Sequence, residues 1–381
     1  MKIPFLDLKA QYQTIKTEID AAIQRVVDSG HFILGENVRA LEREVADYYG
    51  CPYAVGVASG TDAIHLSLRA LGIGPGDEVI TTPFTFIGTA EAIIYTGARP
   101  VFVDIDSQTF NIDPNRIEEY LKKKPSARPK AILPVHLYGQ PADMEGIMKL
   151  ADRYGLRVVE DCAQAIGAEF ANKRIGGFGD AGCLSFYPTK NLGAYGDGGM
   201  VITKNETLYM SLLSLRTHGA GEGYQHQEVG YNSRLDEVQA AILRVKLRYL
   251  EEWTKRRREI ASLYTEALVG TGVLTPLEPP DTRGVFHQYT IRVPKGRDRL
   301  HQKLWEKGIM TMIYYPIPLH LQKAFEGLGY KKGDFPEAER AAEEVLSIPI
   351  YPELSEEDIK LMVKALKDAI KEGKGAGRPM P

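Results

Sequence analysis

Between residues 53 and 203, short runs rich in valine and isoleucine keep recurring: YAVGVA (53–58), DEVITTP (77–83), RPVFVDID (99–106), KAILPVHL (130–137), LRVVEDC (156–162), GCLSFYP (182–188) and GGMVIT (198–203). Amphipathic segments such as TDAIHLSLRALG and MEGIMKLADRYG separate the first five. A chain that alternates strand and helix in this way folds as an α/β domain with a mostly parallel sheet. Ligands of such sheets bind beyond the carboxyl ends of the strands. The residues singled out below fall there.

From about residue 235 the texture changes. LDEVQAAILRVKLRYLEEWTKRRREIASLYTEAL reads as one long helical stretch, straight or bent. FHQYTIRV (286–293) is strand-like, a helix is expected near 298–307, and EEDIKLMVKALKDAI forms a final helix. These features predict a large α/β domain over 1–250 and a smaller α+β domain over 251–369. The tail, 370–381, rich in Gly, Pro and Lys, reads as disordered.

Composition excludes several classes of function. The 381 residues are 44% apolar and 25% charged, as in ordinary soluble proteins. A net charge of −3 with interspersed signs leaves no electrostatic footprint for nucleic acid. Cys51, Cys162 and Cys183 are odd in number and lack CxxC spacing, which argues against a disulfide framework or a zinc site and for a reducing compartment. No apolar run approaches the roughly 18 residues of a spanning helix. The stretch MKIPFLDLKAQY has no long apolar h-region of the kind a secretory leader carries. A cytoplasmic, non-membrane protein is expected.

Three local features carry chemistry. In VASGTDAIHLSL a strand ends and Ser59-Gly60-Thr61-Asp62 opens a helix, whose unpaired first-turn amides and dipole favour an anion. Taken alone this is an ordinary helix start, capped by Thr61 or Asp62. In RVVEDCAQAIG, Asp161 ends a strand where a carboxylate is costly unless it faces a cation or a protonated ring. Gln164 follows three residues later, on the same side if the turn is helical. In CLSFYPTKNLGAYGDGGM, Lys190 follows an apolar strand and precedes a glycine-dense loop. A partly buried lysine has a lowered pKa and forms Schiff bases with carbonyls. Pyridoxal 5′-phosphate (PLP) requires all three: an anion site for its phosphate, an acid for its pyridine nitrogen and an amine for its aldehyde.

With these motifs the chain resembles the DegT/DnrJ/EryC1/StrS family of PLP-dependent nucleotide-sugar aminotransferases, which have the fold-type-I, aspartate aminotransferase-like architecture. The resemblance runs from residue 3 to about 369 and rests on FLDLKAQY, FILG, SGTDAIHLSLRALGIGPGDEVITTPFTFIGTAEAI, PVHLYGQPADM, VEDCAQAIGA, SFYPTKNLGAYGDGGM, GYNSRLDEVQAAIL and YYPIPLHL. It implies that Lys190 binds the PLP aldehyde and Asp161 pairs with the ring nitrogen. Gln164 would lie near the ring hydroxyl, with Gly60, Thr61 and Ser185 on the phosphate and Phe86 stacked on the ring. Asn232 would reach the phosphate from the partner subunit of a homodimer. Arg234, read as lying three residues into a helix, would sit near the donor's carboxylate.

The implied reaction moves the amino group of L-glutamate, by way of pyridoxamine 5′-phosphate, onto a keto-sugar of a nucleotide diphosphate. Lys190 itself separates this chain from a dehydratase branch that has histidine at the position. PVHLYGQPADM and NSRLDEVQAAIL resemble members that aminate carbon 3, with carbon 4 as the alternative; both dTDP and UDP remain open. Phe32, Tyr187, Arg234, Tyr315 and His320 are candidates for substrate contact, with the loop 218–232 as a closing element. A regulatory paralogue without turnover is the competing class. A dinucleotide oxidoreductase is disfavoured, because GIGPGD (72–77) follows a helix and lacks GxGxxG spacing.

Overall fold

The computed structural model describes residues 2–123, 129–221 and 225–375. Two helices lead in, α1 (Leu8–Ser29) and α2 (Glu36–Tyr49). The alternating region follows as β1 (Tyr53–Val57), α3 (Gly60–Ala70), β2 (Glu78–Thr81), α4 (Ile87–Tyr95), β3 (Arg99–Phe102), α5 (Pro114–Lys123), β4 (Pro129–Ile132), α6 (Met144–Tyr154) and β5 (Arg157–Asp161). The short pair β6 (Glu169–Phe170) and β7 (Lys173–Arg174) precedes β8 (Ala181–Ser185), β9 (Gly199–Thr203) and α7 (Glu206–Leu215). The remainder comprises α8 (Glu237–Leu247), α9 (Leu250–Leu268), β10 (Thr282–Arg283), β11 (Tyr289–Arg292), α10 (Arg297–Glu306), α11 (Pro336–Glu344), β12 (Val345–Ile348) and α12 (Glu356–Gly375).

The seven Val/Ile-rich runs form one sheet in the order β1-β9-β8-β5-β4-β2-β3. Only β9 runs against the others. The strands are buried on both faces, which is why they read as continuous apolar runs. Successive residues enter opposite cores: Val79, Ala131 and Val159 share one cluster, while Ile80, Ile132 and Val158 share another. A separate core gathers α9, α10, α12, β11 and β12, and takes in Ile3 from the chain start, which bridges to Ile309.

Two expectations are corrected here. The stretch after 235 is two helices, broken at Arg248 and Tyr249. α8 lies against α1 and α2, whereas α9 turns into the C-terminal core with Ile260, Tyr264 and Leu268. One straight helix could not serve both. The final helix runs on through Gly375, so the first part of the tail read as disordered is helical, and 376–381 lie outside the described residues. Among the described residues no helix is long and apolar enough to cross a membrane.

Glu160 anchors the sheet beside the site. It is fully buried, and its oxygens accept from Gly176 N (2.6 Å), Phe178 N (2.8 Å), Gly179 N (2.8 Å) and His136 Nε2 (3.2 Å). His136 Nδ1 accepts from Ala142 N at 3.0 Å, which leaves the ring proton on Nε2 for Glu160. His136, Glu160 and Cys162 bring possible metal-ligand atoms within 4.8 Å of one another, but the carboxylate already has four donors. Glu160→Ala would strand these donors and should destabilise the protein by about 3–5 kcal/mol. The check is the denaturation midpoint at matched protein concentration, and an unchanged midpoint would contradict the assignment.

Candidate functional site

The antiparallel β9 determines what meets at the carboxyl edge of the sheet. Its first residue, Gly199, lies between the ends of β1 and β8, and β8 lies beside β5. The chain after β1 (Gly60, Thr61), Ser185 at the end of β8 and Asp161 at the end of β5 therefore share one edge. Because β8 and β9 are antiparallel neighbours, residues 186–198 must turn back over that same edge, and they carry Lys190.

At the first strand end the backbone comes unusually close. A Cβ on Gly60 would lie 2.6 Å from the Cβ of Ser185, so only glycine lets the start of α3 sit against that serine. The cap of α3 is neither Thr61 nor Asp62. Ser59 Oγ accepts from Asp62 N at 3.0 Å. That leaves the Thr61 hydroxyl and the first amides of the helix, with the Ser185 hydroxyl beside them, as an anion cradle.

Asp161 is only 5% exposed. Oδ2 accepts from Thr89 Oγ1 at 2.8 Å and Oδ1 from Ala163 N at 3.1 Å. Burial raises its pKa despite these bonds and despite Lys190 and His136, which pull it down. Lys190 shifts in the complementary direction. Burial lowers it from 10.5 to about 8, with the charge on Asp161 opposing. Burial moves both toward neutrality, the acid almost fully enclosed and the lysine partly so. The loop after the lysine is pinned to the rest of the chain. A Cβ on Gly193 would lie 2.3 Å from Pro188 O, buried Lys246 donates to Gly193 O at 2.7 Å, and Asn191 Nδ2 donates to Val285 O at 3.1 Å.

Gln164 is fixed at both ends. Its Oε1 accepts from Tyr138 N at 2.7 Å and its Nε2 donates to Tyr315 OH at 3.1 Å, which draws Tyr315 to the site from the C-terminal half. Phe86 stands at the N-cap position of α4, 57% exposed, a large ring with nothing yet covering it. Phe32 and Tyr187 are likewise exposed.

Two sequence candidates are placed differently from expectation. His320 is 2% exposed, its Nε2 is 3.0 Å from Glu339 Oε1 and its ring packs edge-on against Phe335, so it is a structural histidine and not a substrate contact. Arg234 is not within a helix. It lies in the extended segment that ends where α8 begins at Glu237. In that segment Ser233 points inward, accepting from Ala58 N at 3.2 Å and donating to Asp62 Oδ2 at 2.8 Å. Asn232 is exposed and Arg234 partly so. The loop 218–232 folds back on itself through bridges between Thr217 and Asn232 and between Ala220 and His226, and residues 222–224 lie outside the described residues.

Sequence reasoning missed Thr89, Glu160 and Glu237. Glu237 is buried at the start of α8, and its carboxylate accepts from Gly35 N (3.0 Å), Asn37 N and Val38 N (3.1 Å), tying the Phe32 segment to the Asn232–Arg234 segment. For Thr89 a signal existed, since it follows Phe86 by three residues and so shares its helix face.

Residues 13–367 match the DegT/DnrJ/EryC1/StrS aminotransferase family. The chain is 53% identical to a "Pleiotropic regulatory protein" of Geobacillus stearothermophilus, covering 97% of this chain and 98% of the relative. It is 50% identical to a UDP-N-acetyl-3-dehydro-α-D-glucosamine 3-aminotransferase of Acidithiobacillus ferrooxidans, covering 96% and 97%. Among solved structures, S. venezuelae DesV in complex with a ketimine intermediate is 45% identical, with a TM-score of 0.94 over 97% of this chain and 98% of that one.

The depressed lysine makes a prediction about the cofactor-free protein. The folded chain disfavours the ammonium form, so the cost is full below about pH 8 and disappears as pH passes from about 8 to 10.5, where the unfolded chain also loses the proton. Lys190→Met should therefore raise the melting temperature at neutral pH, and the gain should fade across that window. A loss at neutral pH, or a gain independent of pH, would contradict the charge assignment.

Proposed function

Because the chain belongs to the DegT/DnrJ/EryC1/StrS aminotransferase family, we propose that it moves the amino group of L-glutamate onto carbon 3 of a keto-sugar carried by UDP or dTDP, in amino-sugar biosynthesis. It is a PLP-dependent aminotransferase of the fold-type-I class. The observation that carries the reading is the meeting of Lys190, Asp161 and the Gly60–Ser185 cradle along one sheet edge. The preference for carbon 3 is supported by the half-identical 3-aminotransferase.

The residues present suit the cofactor's three groups. Gly60, Thr61 and Ser185 would hold the phosphate, Asp161 the ring nitrogen, Gln164 the ring-hydroxyl side and Phe86 one ring face. When bound, PLP supplies an aldehyde that carries the amino group and a ring that draws electrons from the carbon losing its proton. With its pKa lowered to about 8, Lys190 has a far larger neutral fraction near neutral pH than an ordinary lysine. Released from the aldehyde, its Nζ would take a proton from one carbon and return it to another. A carboxylate at Asp161 would pair with the ring nitrogen and favour its protonated form. Phe32, Tyr187, Arg234 and Tyr315 are the side chains proposed to line the sugar-nucleotide and donor sites. Three free cysteines support a reducing, cytoplasmic setting.

The site is proposed to lie at a homodimer interface with Asn232 supplied by the partner. The outward-facing Asn232 beside an inward-bonded Ser233 supports this. A second reading, regulation without turnover, is favoured by names alone, those of the Geobacillus relative and of a 44% identical "Erythromycin biosynthesis sensory transduction protein EryC1".

Three outcomes are expected. Lys190→Ala and Lys190→Arg should give no turnover and none of the visible absorbance of lysine-bound cofactor; undiminished activity in either would sink the assignment, and a wild-type protein that stays colourless with PLP would revive the regulatory reading. Incubated with glutamate, PLP and a panel of UDP- and dTDP-linked 3-keto and 4-keto sugars, the protein should give an aminated product, identified by mass, from a 3-keto member. A 4-keto product would move the reaction to carbon 4. Mixed dimers of Lys190→Ala and Asn232→Ala chains should regain activity at one of their two sites, whereas inactive mixtures would place Asn232 in its own subunit's site.

A further inference from the structure

We propose that Thr89, backed by Thr85, is a positioning residue that orients the Asp161 carboxylate toward the pyridine nitrogen. The proposal rests on the reading that Asp161 meets that nitrogen.

Thr89 is almost fully buried in the first turn of α4, with its Oγ1 2.8 Å from Asp161 Oδ2. Thr85 is equally buried, and its Oγ1 lies 3.0 Å from that of Thr89. The direction of the chain follows from donor counting. An ionised carboxylate only accepts, so the single hydroxyl proton of Thr89 goes to Asp161, and the Thr89 oxygen accepts from Thr85. The result is a directed relay, Thr85 to Thr89 to Asp161, in surroundings of low polarity where such bonds strengthen one another.

A structural threonine would behave differently. Within a helix the hydroxyl ordinarily returns its proton to a carbonyl three or four residues back. Thr14 does so in α1, donating to Gln11 O at 2.7 Å, and Thr96 at the end of α4 donates to Ile93 O at 2.7 Å. Thr89 donates across 72 residues to a different element. The same turn of α4 carries Phe86 outward at its cap, so one helix start would set both the ring-covering aromatic and the acid.

Asp161 has few other means of holding its orientation. Ala163 N is the remaining donor to its carboxylate. Lys190 faces it as a charge, His136 also lies nearby, Tyr315, Cys162 and Cys183 feel its charge, and burial pushes it toward the neutral form. Removing the hydroxyl would leave one amide to hold an anion in a dry site, and the carboxylate would protonate or rotate away from the nitrogen.

The test compares Thr89→Val, which keeps the shape and loses the hydroxyl, with Thr89→Ser, which keeps the hydroxyl. Full-length protein is titrated with PLP, and the protonation of isotopically labelled pyridine nitrogen in the bound cofactor is read by NMR. Loss of a hydrogen bond to a charged group should weaken PLP binding about tenfold or more. In Thr89→Val the nitrogen signal should move toward that of neutral pyridine, and Thr89→Ser should restore both readouts. The change from Thr89→Val should vanish in an Asp161→Asn background, because the two act as one unit. Wild-type affinity and nitrogen signal in Thr89→Val, or an equal loss on top of Asp161→Asn, would overturn the proposal. If Asp161→Asn alone leaves the nitrogen signal unchanged, the fault lies with the reading of Asp161 instead. Should Thr89→Val not fold, Thr85→Val removes only the second link and should give a smaller shift of the nitrogen signal in the same direction; no shift there would equally overturn the relay.

Discussion

The burial of one carboxylate sets the terms for the rest of the site. Asp161 ends a central strand with, among the described residues, a hydroxyl and an amide as its donors, and the lysine that faces it is partly buried. Its neighbour Glu160, pointing to the other face of the sheet, has four donors and is simply a structural anchor. Adjacent acids on one strand thus reach opposite fates, because successive side chains leave a strand on opposite faces. The under-supplied one is available to a positively charged partner. The fully supplied one is not.

What brings a partner's binding groups to Asp161 is topology. A purely parallel sheet would send the chain after β8 across a helix and back to the opposite edge. Reversing β9 keeps the next segment on the carboxyl edge, so the lysine loop closes over the same place where β1, β5 and β8 end. Glycines at close approaches against Ser185, Pro188 and Ser59 let that edge close without a side chain in the way. Hydrogen bonds around the site then draw in the C-terminal half: Gln164 holds Tyr315, and Asn191 is held by the carbonyl of Val285.

Much of this was legible in the chain. The alternation of Val/Ile runs with amphipathic segments predicts the mostly parallel sheet, while the texture change near 235 precedes the C-terminal core, which takes in the chain only from α9. Lys190, Asp161 and the Ser59–Asp62 helix start could be singled out because each is an unusual residue at a strand end. Residues whose role depends on a distant partner were not legible. Thr89 reads as one more helical threonine until Asp161 appears beside it, Glu237 as a surface acid until it caps α2, and His320 as a ligand candidate until Glu339 and Phe335 close around it. The break at Arg248 and Tyr249 was hidden because both sides of it favour helix, and only the divergent cores of α8 and α9 force the turn.

The sequence by itself determined the α/β class, the strand ends on which chemistry could sit, and the kinds of group placed there, because these follow from local period and residue type. The tertiary structure decided which of those groups meet. Strand order, the single reversed strand and the depth of burial are properties of long-range pairing, and they alone bring a separate lysine, acid and helix start to one sheet edge, where burial lowers the lysine to about 8 and raises the acid.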